Sequence, residues 1–196
     1  MDCLQREFYD RDTLEVAKDL LGCLLVREYE GERLVGRITE TEAYIGRCDK
    51  ACHAYNYKRT RRTETLFARP GTAYLYLIYG MYTCLNFVTE PAGEPAAVLI
   101  RAVEAIEGAE TMARLRFGVS AGAMTGYQRK NFLNGPGKVC KAMALDRSLN
   151  GHDLLTEPLY VLPRDKAPVD IRSGPRIGVD YAQEAKNFPW RFWVGE

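Results

Sequence analysis

The segment Arg37-Ile-Thr-Glu-Thr-Glu-Ala-Tyr44 predicts a strand that carries carboxylates at positions where apolar residues are expected. Side chains two residues apart in a strand share a face. Strict alternation therefore predicts that Glu40 and Glu42 lie on the same face as Ile38. An acidic pair in a strand is ordinarily solvated at a half-exposed position, so a functional role for either carboxylate needs support from the rest of the chain.

Outward from this segment, the sequence predicts an α+β fold. Predicted strands cover residues 23–28, 33–44, 73–79, 81–89 and 96–103, and a turn near Glu30-Gly31 joins the first two as a hairpin. Predicted helices cover residues 12–22, 107–117 and 136–145. The first begins with Asp12 and Glu15, which resemble a capping box, and Gly22 closes it. The last begins at Pro136, a residue favoured in the first turn.

The composition is that of a globular protein. The chain has 196 residues, of which 46% are hydrophobic and 27% charged, and this length predicts a single domain over residues 1–196. We expect a cytoplasmic protein, associated with the nucleoid in a bacterium, because the sequence shows no apolar run of membrane-spanning length and no signal peptide. The six cysteines are scattered and predict reduced thiols. Cys48, Cys52 and His53 could form half of a zinc site, but no second Cys pair exists, so we expect no metal and no cofactor.

The net charge of +1 argues against a domain that holds nucleic acid by bulk electrostatics alone. Basic residues nevertheless cluster in the long polar connection 47–70 and again in residues 114–147. Each cluster is either a solvated face or a phosphate-contacting surface, and the sequence alone does not decide between them. The candidate phosphate contacts are Arg59, Arg62, Arg116 and Lys138.

Two local features have a physical chemistry of their own. Tyr79-Gly80 suits a tight hairpin tip within residues 74–82, and a large ring at such a tip resembles the wedges that insert between base steps. The other tyrosines of this stretch, taken singly, are more typical of a packed core. The segment Asn134-Gly-Pro-Gly-Lys138 opens a helix whose free N–H groups suit either a DNA phosphate or a plain helix cap.

Taken together, these residues resemble the alkyladenine (3-methyladenine) DNA glycosylase family. The resemblance spans nearly the whole chain in order. The segments that carry it are Glu40-Thr-Glu-Ala-Tyr44, Ala51-Cys-His-Ala54, Arg69-Pro-Gly-Thr72, Tyr76-Leu-Ile-Tyr-Gly-Met-Tyr82, Asn86, Val98-Leu-Ile-Arg-Ala102 and Pro189-Trp-Arg-Phe192. It implies a single α+β domain with a curved, mostly antiparallel sheet, flanking helices and a protruding hairpin that inserts into DNA.

The resemblance also implies a reaction and its residues. The protein would be a monofunctional glycosylase that acts as a monomer on double-stranded DNA containing damaged purines, namely 3-methyladenine, 7-methylguanine, hypoxanthine or ethenoadenine. It would hydrolyse the N-glycosidic bond and leave an abasic site, in base excision repair. The implied catalytic residues are Glu42, as the general base, and Arg101, which helps to place the water. The implied base-pocket residues are Tyr44, His53, Tyr76 and Asn86, and the implied intercalating residues are Tyr79, Met81 and Tyr82.

Physical chemistry is consistent with these roles. A base must leave the stack before water can reach its glycosidic bond, and aromatic faces attract the positive charge of an alkylated purine by about 0.5–2 kcal/mol per contact. No lysine matches a Schiff-base nucleophile, so no strand cleavage is expected. Leu66 stands where the family commonly has methionine, and residues 61–64 lie in a variable loop; both bear on substrate preference.

Two other classes of function remain open at this point. A non-catalytic damage sensor would use the same hairpin and basic loop without requiring Glu42. A hydrolase of free nucleosides or modified RNA would not need Tyr79 as a wedge, but such enzymes typically use a bound cation, and no acidic cluster for one is evident.

Overall fold

A sheet of eight strands forms the centre of the molecule in this computed structural model, which describes residues 3–78 and 80–195. The strands are β1 (Leu24–Tyr29), β2 (Glu32–Ile45), β3 (Ala73–Ile78), β4 (Tyr82–Val88), β5 (Ala96–Glu107), β6 (Leu159–Leu162), β7 (Ile171–Gly174) and β8 (Arg191–Val194). The order is β3-β4-β5-β2-β1-β6, with β8 paired to β2 and β7 to β8. All pairings of these strands are antiparallel, so the predicted α+β class with an antiparallel sheet is confirmed.

The helices are short. They are α1 (Arg6–Tyr9), α2 (Thr13–Asp19), α3 (Ala109–Phe117), α4 (Gly126–Lys130) and α5 (Pro136–Ala142). Single 3-10 turns cover Tyr55–Tyr57, Glu64–Phe67, Arg147–Leu149 and Gln183–Asn187. Two of these turns lie in the long connection between β2 and β3, as expected for a loop of that length. None of the helices in the described ranges is long and apolar enough to cross a bilayer.

Several element boundaries differ from the prediction. The cap of α2 is confirmed, because the Asp12 side chain accepts hydrogen bonds from the backbone N–H groups of Leu14 and Glu15. β5 continues to Glu107, so the predicted start of the next helix at that residue is wrong. Gly108, with φ of 76°, separates the strand from α3, and an added Cβ there would lie 2.5 Å from Leu34 Cδ2. The short elements α1, α4, β6, β7 and β8 were not predicted.

The pairing of β2 with β5 is interrupted between Ile38 and Thr41. One register shift leaves Thr39 without an opposite residue on β5, and the next leaves Arg101 without one on β2. Bulges of this kind bend a strand and re-aim its side chains. Both strands therefore exchange their inward and outward positions at the same level of the sheet.

The predicted alternation along β2 is wrong for this reason. Ile38 lies in the main core, but after the bulge Ala43 takes the core side, and Thr41 donates a 2.8 Å hydrogen bond to the Ala17 carbonyl of α2. Glu42 and Tyr44 consequently face away from the main core. The carboxylate does not replace an apolar core residue, because the bulge moves it to the other face.

The two faces of the sheet have different coverings. The main core lies between one face and helices α2, α3 and α5, and is built from residues such as Leu20, Phe87 and Met143. The other face carries three smaller apolar clusters, which contain Val26, Ala97 and Val179, respectively. The last two combine strand residues with side chains from the 46–70 connection and, for the Val179 cluster, from the C-terminal segment. Tyr44 packs against both of them.

Candidate active site

A cavity of about 380 Å³ lies on the face of the sheet opposite the main core. Its size is within the range typical of small-molecule sites. Strands β2 to β5 form its floor, the 46–70 connection forms one wall and residues 177–181 form another. The lining residues are Tyr44, Ala51, Cys52, His53, Leu66, Tyr74, Tyr76, Ile78, Cys84, Asn86, Ala97, Leu99, Arg101, Pro136, Ile177, Gly178, Val179 and Tyr181.

The Glu42 carboxylate lies behind the cavity wall and is fully buried. Its Oε2 accepts a 2.7 Å hydrogen bond from the Tyr44 hydroxyl and lies 3.3 Å from Arg101 Nη1. Its Oε1 accepts a 2.8 Å hydrogen bond from the backbone N–H of Ile177. A carboxylate oxygen can accept two hydrogen bonds, so Oε1 retains the capacity for one more donor.

Burial and hydrogen bonding act on Glu42 in opposite directions. Burial raises the pKa of its carboxyl group, while Arg101, the Ile177 N–H and the Tyr44 hydroxyl lower it. Burial also raises the pKa of Tyr44 well above its usual value, and the charge of Glu42 adds to this effect. Tyr44 therefore remains a neutral donor to the carboxylate at physiological pH.

A second carboxylate orients Arg101. Glu40 Oε1 accepts a 3.1 Å hydrogen bond from Arg101 Nε and also pairs with Arg191 Nε. The guanidinium of Arg101 thus lies between Glu40 and Glu42, and its side chain is only 11% exposed. Its place at the β5 bulge directs it into this position.

Aromatic rings line one side of the cavity. The His53 ring meets Tyr76 edge-on at 4.6 Å between centroids, and Tyr74 lies 5.3 Å from Tyr76. His53 Nδ1 is 3.2 Å from the Tyr74 hydroxyl. Burial lowers the pKa of His53 to about 4, and the charge of Arg62 adds to this effect. The imidazole is therefore neutral at physiological pH and adds no positive charge that would repel a cationic base.

Asn86 lies in the floor of the cavity and is 3% exposed. Its Nδ2 donates a 3.1 Å hydrogen bond to the Tyr74 carbonyl across the β3–β4 pair. This bond fixes the amide plane, so the side chain presents a defined polar group to any occupant. All six predicted catalytic and pocket residues, Glu42, Arg101, Tyr44, His53, Tyr76 and Asn86, therefore meet around one cavity.

The hairpin residues have a different environment. Tyr79 lies outside the described residues. Met81 is 70% exposed and Tyr82 is 50% exposed, at the start of β4. Gly137 of α5 approaches the Tyr82 ring so closely that an added Cβ would lie 3.1 Å from Tyr82 Cβ, so the hairpin and the start of α5 are adjacent.

The four candidate phosphate contacts do not form one cluster. Arg59 forms an exposed 2.6 Å ion pair with Glu64. Arg62 lies beside the cavity, 3.4 Å from His53 Nε2. The Arg116 side chain donates to backbone carbonyls at the end of α4, and Lys138 binds two asparagine side-chain oxygens at 3.0 and 2.8 Å. Burial lowers the pKa of Lys138, and the charge of Arg116 lowers it further. Lys138 and Arg116 therefore lie close together.

The residues Cys48, Cys52 and His53, which the sequence suggested as half of a zinc site, do not form a metal site in the described part of the chain. No group of three or more His, Cys, Asp or Glu residues is arranged there to hold an ion. All six cysteines are free thiols, as predicted, and Cys48 is exposed while Cys52 is buried.

Comparison with known proteins agrees with the resemblance in sequence. The family model described as "Methylpurine-DNA glycosylase (MPG)" matches residues 7–196. The chain belongs to the methylpurine-DNA glycosylase family. It is therefore a member of a family of DNA glycosylases, and DNA is its substrate.

Bacterial relatives of this glycosylase cover almost all of it. A protein of Clostridium perfringens (strain SM101 / Type A) is 50% identical over 194 residues, which are 97% of this chain and 95% of that protein. One from Desulfitobacterium hafniense (strain Y51) is 49% identical over 99% of this chain and 96% of its own length. One from Alkaliphilus oremlandii (strain OhILAs) is 52% identical over 97% and 95%. Each carries the name "Putative 3-methyladenine DNA glycosylase".

The C-terminal segment of the glycosylase supplies site residues that sequence reasoning missed. The Ile177 N–H binds Glu42, and Gly178, Val179 and Tyr181 line the cavity. Arg176 forms a buried ion pair with Asp49 and stacks 4.7 Å from the Tyr44 ring centroid. The only sequence signal in this region was the Pro189-Trp-Arg-Phe192 match, which indicates the segment but not these contacts.

Proposed function

We propose that the protein is a monofunctional DNA glycosylase, a single domain acting as a monomer. It would remove alkylated or deaminated purines, namely 3-methyladenine, 7-methylguanine, hypoxanthine and ethenoadenine, from duplex DNA. The observation that carries this proposal is the buried Glu42 carboxylate, held by three donors beside an aromatic cavity. The names of the relatives, which specify 3-methyladenine, agree with it.

In this proposal Glu42 is the general base. As the glycosidic bond breaks, the sugar gains oxocarbenium character, which an ionised carboxylate stabilises. A water bound to the remaining acceptor position of Oε1 would lose its proton to Glu42 while it attacks the sugar carbon. Arg101 lines the cavity and contacts the same carboxylate, so it would help to place that water and keep Glu42 ionised.

The aromatic cavity would select the damaged base. Tyr44, His53 and Tyr76 provide ring faces and edges that attract a cationic purine, and the neutral state of His53 avoids repulsion. Asn86, with its amide fixed by the Tyr74 carbonyl, would reject bases that carry a 2-amino group. A purine methylated at N3 or N7 is already a good leaving group, so little acid catalysis is needed for it.

The hairpin and the basic residues would bind the duplex. Tyr79 would fill the space that the everted nucleotide leaves, with Met81 and Tyr82 beside it. Exposure of Met81 and Tyr82 supports this role. Arg59, Arg62, Arg116 and Lys138 would contact phosphates, which fix the register of a protein on DNA without reading sequence.

The test is release of hypoxanthine and of 3-methyladenine from duplex DNA by the wild type, Glu42→Gln and Tyr79→Ala. Glu104→Gln is the matched control, because Glu104 is an exposed residue of β5 that pairs with Arg37. We expect release by the wild type and the control and no strand breaks until alkali is added. Glu42→Gln should bind damaged DNA without releasing the base, and Tyr79→Ala should bind it more weakly.

Three results would contradict the proposal. Tight binding to damaged duplex without release of either base by the wild type would leave a damage-binding module. Equal rates for Glu42→Gln and the wild type would remove Glu42 from the chemistry. Release from free nucleosides at the rate seen with duplex DNA would indicate a nucleoside hydrolase instead.

A further inference from the structure

A fully buried ion pair joins Arg176 to Asp49 behind the cavity. Both side chains have 0% exposure, and Arg176 Nη2 lies 2.8 Å from Asp49 Oδ1. The Arg176 Nε is also buried and has no hydrogen-bond partner among the described residues. Burying two charges has a large free-energy cost, and a buried pair often stabilises a protein no better than apolar residues of the same volume. The pair therefore needs an explanation other than stability.

This pair connects the three parts of the chain that surround Glu42. The Arg176 guanidinium donates to the Ala43 carbonyl of β2 at 2.8 Å and to the Ala185 carbonyl at 3.1 Å. Asp49 Oδ1 also accepts a 2.9 Å hydrogen bond from the Ala51 N–H in the 46–70 connection. Tyr44, Ala51 and Ile177, which are adjacent to these contacts, all line the cavity.

Few other contacts hold residues 175–178, which carry the Ile177 N–H between the end of β7 at Gly174 and the buried Val179. Within the described ranges, the backbone N–H and C=O groups of residues 175–178 form no hydrogen bond with another backbone group. Ile177 itself is 50% exposed, so its side chain is only half covered by packing. The side chain of Arg176, with four acceptor atoms around it, is thus the hydrogen-bonded anchor of these residues.

We propose that Arg176, held by Asp49, is a positioning residue that fixes the Ile177 N–H and the Tyr44 ring against the Glu42 carboxylate. The inference rests on the proposed role of Glu42 as general base. Arg176 does not touch the cavity, so it would act only through its neighbours.

The proposal predicts a change in the ionisation of Glu42. Loss of the Ile177 hydrogen bond removes a donor from the carboxylate and raises its pKa. A general base works only when ionised, so the acidic limb of the pH–rate profile would move to higher pH. The charged and titratable groups that face Glu42 are Arg101 on β5, Glu40 and Tyr44 on β2, Cys84 on β4 and Arg176 itself.

The first variant is Arg176→Lys, which keeps the charge but loses the planar fork of donors. The measurement is single-turnover base release at saturating protein, from pH 4 to 9, together with DNA affinity. We expect the rate to fall by about 10²-fold, as for a misplacement of about 1 Å in a catalytic group, with DNA affinity almost unchanged. Arg172→Lys is the matched control, because Arg172 lies in the preceding strand β7 and forms an exposed pair with Asp170.

A second measurement does not depend on activity. The side-chain carboxyl signal of Glu42, assigned by comparison with Glu42→Gln, is titrated by carbon-13 NMR in the free protein. We expect a higher pKa in Arg176→Lys than in the wild type or Arg172→Lys. Asp49→Asn removes the ion pair but keeps Arg176. Like Arg176→Lys, it should lower the rate and raise the pKa of Glu42.

The outcomes are distinct. A folded Arg176→Lys protein with the wild-type rate and acidic limb would overturn the inference. So would a lower rate with an unchanged Glu42 pKa, and so would the failure of both variants to fold, which would make the pair a requirement of the fold alone. A wild type that releases no base contradicts the proposed function, while the NMR comparison still decides whether Arg176 sets the environment of Glu42.

Discussion

Two neighbours on different strands set the chemistry of the Glu42 carboxylate. Tyr44, two residues away on β2, donates to it, and Arg101 reaches it from the bulge on β5. Burial nevertheless raises the pKa of Glu42. The residue therefore titrates at a higher pH than an exposed glutamate.

We predict that the rate of hypoxanthine release falls as pH decreases through this raised pKa, because protonated Glu42 cannot accept a proton from water. The acidic limb should lie above pH 4.5, the ordinary value for glutamate. Protonation of His53 does not cause an acidic limb near neutral pH, because the pKa of His53 is about 4. The measurement is the single-turnover rate between pH 4 and 9, and an acidic limb at or below pH 4.5 would contradict the prediction.

The low pKa of His53 predicts a pH dependence of protein stability. Its pKa is about 4 in the folded protein, against 6.5 for an unperturbed histidine. The folded state therefore resists protonation of His53, and the free energy of unfolding should fall as pH drops from about 6.5 to 4. The imidazole is partly exposed, so we expect this contribution to be at most about 2 kcal/mol.

The measurement is urea unfolding of the wild type and His53→Gln at pH 7 and pH 5. The wild type should lose more stability between these two values than the variant does. His152, the other histidine, is present in both proteins and cancels in the comparison. Parallel losses of stability would exclude His53 as the cause.

At the scale of elements, the connection after β2 has little freedom at its first residue. Gly46 donates a 2.7 Å hydrogen bond to the Pro95 carbonyl. An added Cβ would lie 2.6 Å from that same oxygen and 2.9 Å from the Ala54 carbonyl oxygen. Both obstacles are backbone atoms, which cannot rotate away as a flexible side chain can.

We predict that Gly46→Ala lowers the free energy of unfolding by about 1–3 kcal/mol, the usual cost of overpacking. Base release should also slow, because the same connection carries His53 to the cavity. Gly126→Ala is the control, since nothing lies within 4 Å of a Cβ at that position. Denaturant unfolding measures both variants, and equal stability of Gly46→Ala and the wild type would show that the connection can shift at no cost.

At the scale of the whole molecule, a net charge of +1 gives the protein little long-range attraction for DNA. Binding then depends on a few local phosphate contacts, whose number sets the salt dependence. Lys138, in α5 beside the hairpin, lies close to Arg116. In the proposed complex with DNA, this pair would contact phosphates next to the hairpin tip.

We predict that Lys138→Gln weakens DNA binding similarly for all sequences and reduces the slope of log K against log salt by about 1. Arg33→Gln is the control, because Arg33 lies near the turn between β1 and β2 and pairs with Glu28. Its slope should equal that of the wild type. Fluorescence anisotropy at several salt concentrations gives both slopes, and an unchanged slope for Lys138→Gln would remove this residue from the phosphate contacts.

The sequence by itself determined the elements that depend on neighbours in the chain. The Asp12 cap, the β1–β2 hairpin and the start of α5 at Pro136 all follow from contacts or preferences within a few residues. The family, and with it the six residues around the cavity, also followed from the order of short motifs. These features need no knowledge of long-range packing.

Only the tertiary structure decided how the site is assembled. Short strands such as β8 exist because they pair with a distant strand, in this case β2. The bulge that turns Glu42 away from the core needs both β2 and β5, so alternation along one strand could not predict it. The contacts from Ile177 to Glu42 and from Arg176 to Asp49 join residues 135 and 127 positions apart. A local pattern carries no information about such pairs, because their energies arise only when folding brings the two segments together.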